Sequence, residues 1–291
     1  MEVRDPIHGP IAVADAERRV VDHPFVQRLR HIKATGFSFL PFPSAMHSRY
    51  AHSMGVMHLA GQAVDSVFSD GALAPATHQR FRALVRMAAL CHDLGHAPFS
   101  HSTEFAMPPL AELGLDWYRP EARTERRATH EDYTIAILAH TSLAQVIAEQ
   151  FDFTARHVAA LISPDITVDD DLFVVDGLDH RQVLSQIISS ELDVDRLDYL
   201  VRDSYFTGAR YGQVDVQWLL RNMTRHTTAD DVSLALDFSA LYAFDDFLIA
   251  RHHMFLMVYF HQKSVVYEEI LKRFVWNSDW GITADLDAYR K

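Results

Sequence analysis

The stretch QRFRALVRMAALCHDLGH, residues 79–96, contains an apolar helix and the residues that end it. Its middle, residues 84–90, is almost wholly apolar, which indicates a helix surrounded by protein on most sides. His92 and Asp93 follow directly, and Gly95 marks the end of the helix. At a helix end the backbone turns, so neighbouring side chains can point at one atom. Imidazole nitrogen and carboxylate oxygen together suit a divalent transition metal.

The composition is that of an ordinary globular protein. Of 291 residues, 48% are hydrophobic and 23% charged, which excludes a disordered or fibrous chain. The 27 basic and 39 acidic residues leave a net charge of −12, which disfavours general nucleic-acid binding. The single cysteine, Cys91, rules out an internal disulfide and a cysteine-built zinc site. With neither a signal peptide nor a membrane-spanning apolar run in the sequence, we expect a cytoplasmic protein with no membrane partner.

Apolar residues at helical spacing predict a mostly α-helical fold with at most a small β-hairpin or sheet. Residues 232–238 alternate apolar and other side chains, which is a short strand signal. Residues 107–128, rich in Pro, Arg and Glu, are expected to form an exposed excursion. The predicted helices are 15–34 with an interruption at Pro24, 52–68, 79–93, 130–139, 142–150, 154–162, 180–203, 215–225 and 241–275.

Two further residues accompany the His92–Asp93 pair. His52 opens a predicted helix, and Asp195 lies in the acidic run ELDVDRLD, residues 191–198. An isolated His-Asp pair is more often an ordinary helix end, where a cationic side chain favours the negative end of the helix dipole. The order His, His-Asp, Asp along the chain is much more informative and points to a metal site.

These residues and their surroundings resemble the HD superfamily of metal-dependent phosphohydrolases, in particular the deoxynucleoside triphosphate triphosphohydrolases of the SAM-and-HD-domain branch. The resemblance implies one HD domain over residues 1–291, with a core at about 47–203 and a C-terminal helical extension at about 204–291. The matching stretches are DPIHG (5–9), FVQRLRHIK (25–33), HSRYAHSMGVMHLAG (47–61), ALCHDLGHAPFSH (89–101), THE (129–131) and ELDVDRLDYLVRD (191–203), with a weaker match around Arg251, Tyr259 and His261.

The resemblance implies a site for one divalent metal ion, which is Mn, Fe, Co, Ni, Zn or Mg. Two histidines and two carboxylates leave room for water and a phosphate oxygen in a six-coordinate shell. The nearby Asp193 and Asp198 are interpreted as helix-surface acids or salt-bridge partners. The implied metal ligands are His52, His92, Asp93 and Asp195.

Catalytic and substrate contacts are implied in the same way. His130 matches a histidine that acts as general acid, a role that suits a side chain with a pKa near neutrality. Glu104 stands where the family has an aspartate that pairs with this histidine, and His96 and His101 match histidines near the phosphates. Two of the substrate contacts listed next also have a simpler interpretation, Tyr199 as a core residue and Asp203 as a helix-surface residue. The implied substrate contacts are Arg49, Arg196, Tyr199, Asp203 and Arg251.

Two departures from the family concern the substrate. Ala34 and Thr35 stand where the triphosphohydrolases carry Gln-Leu, whose glutamine contacts the sugar 3′-hydroxyl. Phe255 replaces a histidine that contacts phosphate. A site that loses polar contacts also loses the discrimination that they provide.

The expected function is therefore metal-dependent hydrolysis of a nucleotide, most simply of a dNTP to deoxynucleoside and triphosphate, by a homo-oligomer, a dimer or tetramer. One alternative is a phosphatase for another nucleotide or phosphorylated metabolite, which Ala34 and Phe255 favour. Another is a nucleotide-binding module without turnover, against which the complete set of ligands and the proton donor argue. A nuclease is a third alternative: the net charge of −12 argues against it but is compatible with a local basic groove of Arg123, Arg126 and Arg127.

Overall fold

Helices account for most of the fold, which is seen in a computed structural model that describes residues 1–123 and 125–290. The helices are α1 (Asp15–Val21), α2 (Pro24–Arg28), α3 (Arg49–Val67), α4 (Pro75–Cys91), α5 (His130–His140), α6 (Ser142–Gln150), α7 (Ala155–Ile162), α8 (Arg181–Ile188), α9 (Val194–Thr207), α10 (Val216–Arg221), α11 (Leu241–Met254), α12 (Gln262–Trp276) and α13 (Leu286–Tyr289). In the part of the chain that the structure describes, none of them combines the length and apolarity needed to traverse a bilayer.

Among the described residues, three antiparallel pairs of short strands accompany the helices, so the mostly α-helical prediction is confirmed. Short 3₁₀ turns and one π-helical turn connect the longer elements. The strand pairs are β1 (Glu2–Asp5) with β2 (Gly9–Ala12), β3 (Val174–Val175) with β4 (Leu178–Asp179), and β5 (Met223–Thr227) with β6 (Val232–Leu236). The 3₁₀ turns nearest the site are Gly36–Phe39 and Ser100–Ala106, and the π-helical turn is Phe255–Tyr259.

Helices α3 and α4 form the centre of the core. They pack along each other, α9 lies against α3, and α7 and α8 lie against α4. The last eight residues of α4, 84–91, are all buried, as the apolar run predicts. Arg86 on this buried stretch forms an ion pair with Glu17 of α1, with contacts of 2.5 and 2.8 Å. Burial alone would raise the pKa of Glu17, but the guanidinium of Arg86 lowers it below its usual value.

Several predicted helices are divided where a side chain caps the next helix. The predicted helix 180–203 is two helices, because Asp193 accepts a hydrogen bond from the backbone of Arg196 and thereby starts α9. The predicted helix 241–275 is interrupted by the π-helical turn and by His261, which caps α12. The predicted helix 215–225 stops at Arg221, and the chain continues as β5, the partner of the strand that alternation predicts.

The predicted exposed excursion 107–128 is confirmed for residues 119–123 and 125–127, which are exposed apart from the half-buried Ala122, and is wrong for residues 107–118, where apolar side chains are buried. The arginines of the segment bind groups of the protein itself. Arg126 pairs with the buried Asp132 at 2.6 Å, and Arg127 donates to the carbonyl of Met107 at 2.7 Å. Arg123 donates to the carbonyls of Asp116 and Tyr118, so the predicted basic groove is occupied by internal contacts. The buried side chains are Met107, Leu110, Leu113, Leu115 and Tyr118.

Candidate active site

Three helix ends bring the predicted metal ligands together. His52 lies in the first turn of α3, His92 follows the last residue of α4, and Asp195 lies in the first turn of α9. One ligand atom from each of these three lies within 4.8 Å of the others. Nε2 of His52 is 2.9 Å from Oδ1 of Asp195, and Nε2 of His92 is 3.5 Å from the same oxygen. The fourth predicted ligand, Asp93, is adjacent, with Oδ1 3.3 Å from Nε2 of His92.

The ring of His92 is oriented as a metal ligand requires. Its Nδ1 donates to the carbonyl of Ala89 at 2.7 Å, which leaves the lone pair on Nε2. Nε2 is buried and, within residues 1–123 and 125–290, makes no hydrogen bond. A buried acceptor without a donor is costly, whereas a cation between this nitrogen and two carboxylates satisfies it. The donor set therefore fits a divalent transition metal.

His52 is held from behind by Asp198. Oδ2 of Asp198 is 2.7 Å from Nδ1 of His52, and the carboxylate also binds Arg202 and His8. The side chain of Asp198 is fully buried, so the interpretation of Asp198 as a helix-surface acid is wrong. Its ion pair with Arg202 confirms the alternative interpretation as a salt-bridge partner. Gly55 makes the contact possible, because a Cβ atom there would lie 1.9 Å from Oδ1 of Asp198.

The electrostatics of the centre favour a positive charge. Burial would lower the pKa of His52, but its hydrogen bonds with Asp195 and Asp198 raise it to about 10. Burial would raise the pKa of Asp93, but Arg49 and the neighbouring histidines hold it well below its usual range. Arg49 is itself buried, binds Asp93, and donates to the hydroxyl of Ser100 at 2.8 Å. Its guanidinium therefore positions a candidate ligand.

The predicted catalytic residues form a second cluster beside the first. Ligand atoms of His96, His101, Glu104 and His130 lie within 4.8 Å of one another. The rings of His96 and His130 stack at 3.9 Å, and Nδ1 of His130 is hydrogen-bonded to Oε1 of Glu104. Burial would raise the pKa of Glu104, but His101 and His130 lower it. His96 joins the two clusters, since its Nε2 is 3.3 Å from Oδ1 of Asp93.

The turn between the two clusters is fixed from several sides. Gly95 lies so close to α5 that a Cβ atom there would be 2.0 Å from the carbonyl oxygen of His130. Its carbonyl oxygen accepts a hydrogen bond of 2.7 Å from the hydroxyl of Tyr289. Arg28 donates to the carbonyls of His96 and Tyr289 at 2.8 and 2.9 Å. The C-terminal segment thus braces the turn that carries the candidate ligands.

A cavity of about 580 Å³ opens onto both clusters. It is large enough for a nucleotide, in the usual range of small-molecule sites. Ala34, Thr35 and Phe255, the positions that depart from the family, all line it, as does Tyr199. Burial and Asp195 raise the pKa of Tyr199 to about 12, so its hydroxyl stays protonated.

The predicted substrate contacts are only partly gathered at the cavity. Arg49, Tyr199 and Asp203 line it, whereas Arg196 and Arg251 are not among its lining residues. Arg196 pairs with Asp193 at 2.5 Å, and Arg251 lies 3.5 Å from Glu191. A role for these two arginines in phosphate binding therefore requires side-chain movement.

The carboxylate of Asp203 is fully engaged in hydrogen bonds within the protein. Its two oxygens accept hydrogen bonds from His47 and Tyr259, each at 2.7 Å. The side chain is buried, so the helix-surface interpretation of Asp203 is wrong. Sequence reasoning missed two residues of the site. They are His47, which binds Asp203, and Glu268, which lines the cavity.

The fold and the site define a helical protein with a candidate metal centre of two histidines and one carboxylate, His52, His92 and Asp195, with Asp93 beside it. Residues 49–203 match the family model of the HD domain. The chain belongs to the HD family, and the predicted membership of the HD phosphohydrolases is confirmed.

Among curated relatives, the chain is 34% identical to the uncharacterised protein YwfO of Bacillus subtilis, over 93% of this chain and 54% of YwfO. It is 34% identical to the human deoxynucleoside triphosphate triphosphohydrolase SAMHD1, over 71% of this chain and 33% of SAMHD1. The chain spans about half the length, or less, of these relatives.

Solved structures that share the fold include two with 27–29% identity to this chain. A hypothetical protein from Aquifex aeolicus has a TM-score of 0.73 and 29% identity, covering 100% of this chain and 68% of its own. A phosphohydrolase from Bacteroides thetaiotaomicron has a TM-score of 0.70 and 27% identity, covering 93% of this chain and 57% of its own.

Proposed function

We propose that the protein is a metal-dependent phosphohydrolase of nucleotides that splits a dNTP to deoxynucleoside and triphosphate. The observation that carries this proposal is the convergence of His52, His92 and Asp195 on one point of a nucleotide-sized cavity, beside the His130–Glu104 pair. The relationship to SAMHD1 supports the choice of substrate.

In this proposal, His52, His92, Asp93 and Asp195 hold the metal. When bound, a divalent metal polarises the phosphoryl group and lowers the pKa of a water molecule. Asp198 keeps Nδ1 of His52 engaged, so that Nε2 is directed at the centre. Arg49 keeps Asp93 in place and adds positive charge on the side where a polyphosphate would bind.

His130 is the proposed proton donor to the leaving oxygen. Its Nδ1 is engaged by Glu104, so the other nitrogen, Nε2, is the atom that holds and releases the proton. Glu104 stays ionised because His101 and His130 lower its pKa, and it orients the ring of His130 through Nδ1. His96, stacked on His130, keeps the ring plane fixed.

A second candidate function is a phosphatase for another nucleotide or phosphorylated metabolite. Ala34 and Phe255 line the cavity and offer no polar side-chain group to a sugar or a phosphate. A cavity with fewer polar contacts discriminates less strictly between substrates.

The test is a product analysis with metal-loaded protein, in which dNTPs, NTPs, nucleoside monophosphates and simple phosphate esters are separated by chromatography after incubation. We expect deoxynucleoside and intact triphosphate from dNTPs, lost in Asp93→Ala and retained in the surface control Asp22→Ala. Asp22 is an exposed partner of Arg18, and neither residue lines the cavity. Orthophosphate alone favours the phosphatase, and metal binding without any turnover favours a binding module.

We also propose that residues 1–291 act as one unit and assemble as a homo-oligomer. The C-terminal extension supplies Phe255, Tyr259 and Glu268 to the cavity, so the site is incomplete without it. Exposed apolar side chains on α11 and α12, such as Ile249 and Ile270, are typical of surfaces that associate. Light scattering measures the mass of the assembly, and elemental analysis identifies the divalent metal.

A further inference from the structure

One wall of the cavity has no part in the proposed chemistry. Thr35, Ser102 and Glu268 line it, alongside the methyl side chain of Ala34. Helix α12, which carries Glu268, packs against the 3₁₀ turns Gly36–Phe39 and Ser100–Ala106. A carboxylate is thus placed on a cavity wall that the ligands and the His130–Glu104 pair do not use.

The geometry of the turn Ser100–Ala106 separates this wall from the catalytic cluster. In a 3₁₀ helix, residues three apart lie on the same face. His101 and Glu104 are three apart and 3.3 Å from each other, on the face toward His130. Ser102 is one residue on and points elsewhere, donating its hydroxyl to Oε1 of Glu268 at 2.8 Å. Ser102 is buried, so this contact holds the Glu268 carboxylate in place.

Two polar groups on this wall, one oxygen of Glu268 and the hydroxyl of Thr35, have no hydrogen-bond partner among the described residues. Among the contacts of the described residues, Oε2 of Glu268 receives no hydrogen bond, since Ser102 engages only Oε1. Within the same residues, the hydroxyl oxygen of Thr35 is buried and has no partner. By contrast, both oxygens of Asp203, a buried acid of the same cavity, are engaged, whereas Glu268 is half-buried. Unpaired polar atoms in a binding cavity are the groups that a ligand satisfies.

The charge of Glu268 indicates which part of a substrate it meets. A carboxylate repels phosphate, so a polyphosphate is directed to the metal centre and Arg49, and the nucleoside is directed to Glu268. Nucleosides present hydroxyl and N–H donors, which a carboxylate accepts in strong charge-assisted hydrogen bonds. Such a contact favours substrates that carry the donor over analogues that lack it, because only the former replace the solvent contacts that the half-buried carboxylate gives up.

We infer that Glu268 is a specificity-determining residue that accepts a hydrogen bond from a sugar hydroxyl or a base N–H of the bound nucleotide. Ser102 positions the carboxylate, and the hydroxyl of Thr35 adds a second contact. The role of Glu268 rests on the nucleotide substrate of the proposed function and adds a determinant of selectivity to it.

The experiment compares kcat/KM of the native protein and Glu268→Gln over three substrate pairs. NTP against dNTP with the same base reports the 2′-hydroxyl, dNTP against the 3′-deoxy analogue reports the 3′-hydroxyl, and different bases on deoxyribose report the base. Glu269→Gln is the matched control, because Glu269 is the next residue of α12 and pairs with the exposed Arg273 at 2.9 Å. Thermal melting checks that each variant is folded.

We expect one of the three ratios to fall about tenfold or more in Glu268→Gln, through KM rather than kcat, and to keep its native value in Glu269→Gln. Ser102→Ala should move the same ratio by a smaller amount. All three ratios within about twofold of native would overturn the role of Glu268 while the phosphohydrolase proposal stands. If the native protein hydrolyses no nucleotide, the proposed function fails. Calorimetric titration of the native protein and Glu268→Gln with the same nucleotides then tests the role of Glu268. Equal Kd values for the two proteins, or no binding by either, reject that role.

Discussion

Nδ1 of His52 and Oδ2 of Asp198 are joined by a hydrogen bond of 2.7 Å between α3 and α9, and the Asp198 side chain is fully buried. The same carboxylate binds Arg202, which in turn binds Asp5 near the start of the chain. Asp198 is therefore connected both to the candidate metal centre and to a structural ion pair, and the two roles can be separated by mutation.

We predict that Asp198→Asn weakens metal binding by about 10- to 100-fold, because the amide no longer holds the imidazole of His52 as a carboxylate does. Titration with Mn²⁺ or Zn²⁺ in competition with a chelator measures the affinity. Asp5→Asn is the control, since it removes the other carboxylate partner of Arg202 without touching His52. It should lower the melting temperature and leave the metal affinity unchanged. Equal metal affinity in Asp198→Asn and the native protein would contradict the role of Asp198.

We predict that His130→Ala lowers kcat by about 10²- to 10⁴-fold while the bound metal is retained, because a proton donor is lost and the ligands are intact. Steady-state kinetics and elemental analysis of the same preparation measure both quantities. His140→Ala, at the exposed far end of the same helix, should behave as the native protein. Loss of metal together with activity in His130→Ala would instead make His130 part of the metal site.

The Glu17–Arg86 pair predicts a pH dependence of stability. Because Arg86 holds the folded-state pKa of Glu17 below its usual 4.5, the stabilisation is complete above that pH and is lost as pH falls through the lowered pKa. Glu17→Gln leaves Arg86 buried and unpaired, which should cost about 3–5 kcal/mol at pH 7.

Denaturant unfolding at a series of pH values measures this difference, which should shrink below pH 4.5. Asp22→Asn removes a pair whose two side chains are more than half exposed, and should cost less than about 1 kcal/mol at any pH. A constant difference between Glu17→Gln and the native protein from pH 7 to pH 3 would show that the charge of Glu17 is irrelevant.

The hydrogen bond from Tyr289 to the carbonyl of Gly95 predicts that the C-terminal segment affects catalysis. Tyr289→Phe removes only the hydroxyl, and we expect kcat/KM to fall by about 3- to 10-fold, the loss typical of one hydrogen bond. Tyr242→Phe is the control, because the Tyr242 side chain is largely exposed. Identical kinetics for the native protein and Tyr289→Phe at equal metal content would show that the hydrogen bond from Tyr289 to Gly95 does not affect catalysis.

Local features of the sequence were sufficient for the helical class and for several helix bounds. α6 matches its prediction at both ends, and α4 ends where the apolar run gives way to His92 and Asp93. The division between α8 and α9 was missed, because Asp193 caps α9 with its own side chain and apolar periodicity does not register such a cap. Burial of the apolar side chains in residues 107–118 was missed because the Pro, Arg and Glu content of 107–128 suggests exposure, and composition does not reveal which side chains face the core.

The sequence by itself determined the chemistry of the donors at the candidate centre, since the order His52, His92-Asp93, Asp195 is visible without coordinates. Only the tertiary structure decided what each carboxylate of α9 does. Asp195 and Asp198 are three residues apart on one helix face, and both contact the ring of His52. Asp195 meets Nε2 and faces the cavity, whereas Asp198 meets Nδ1 and is buried behind the ring. That distinction arises from how α9 crosses α3 at Gly55, where the missing side chain lets Asp198 approach.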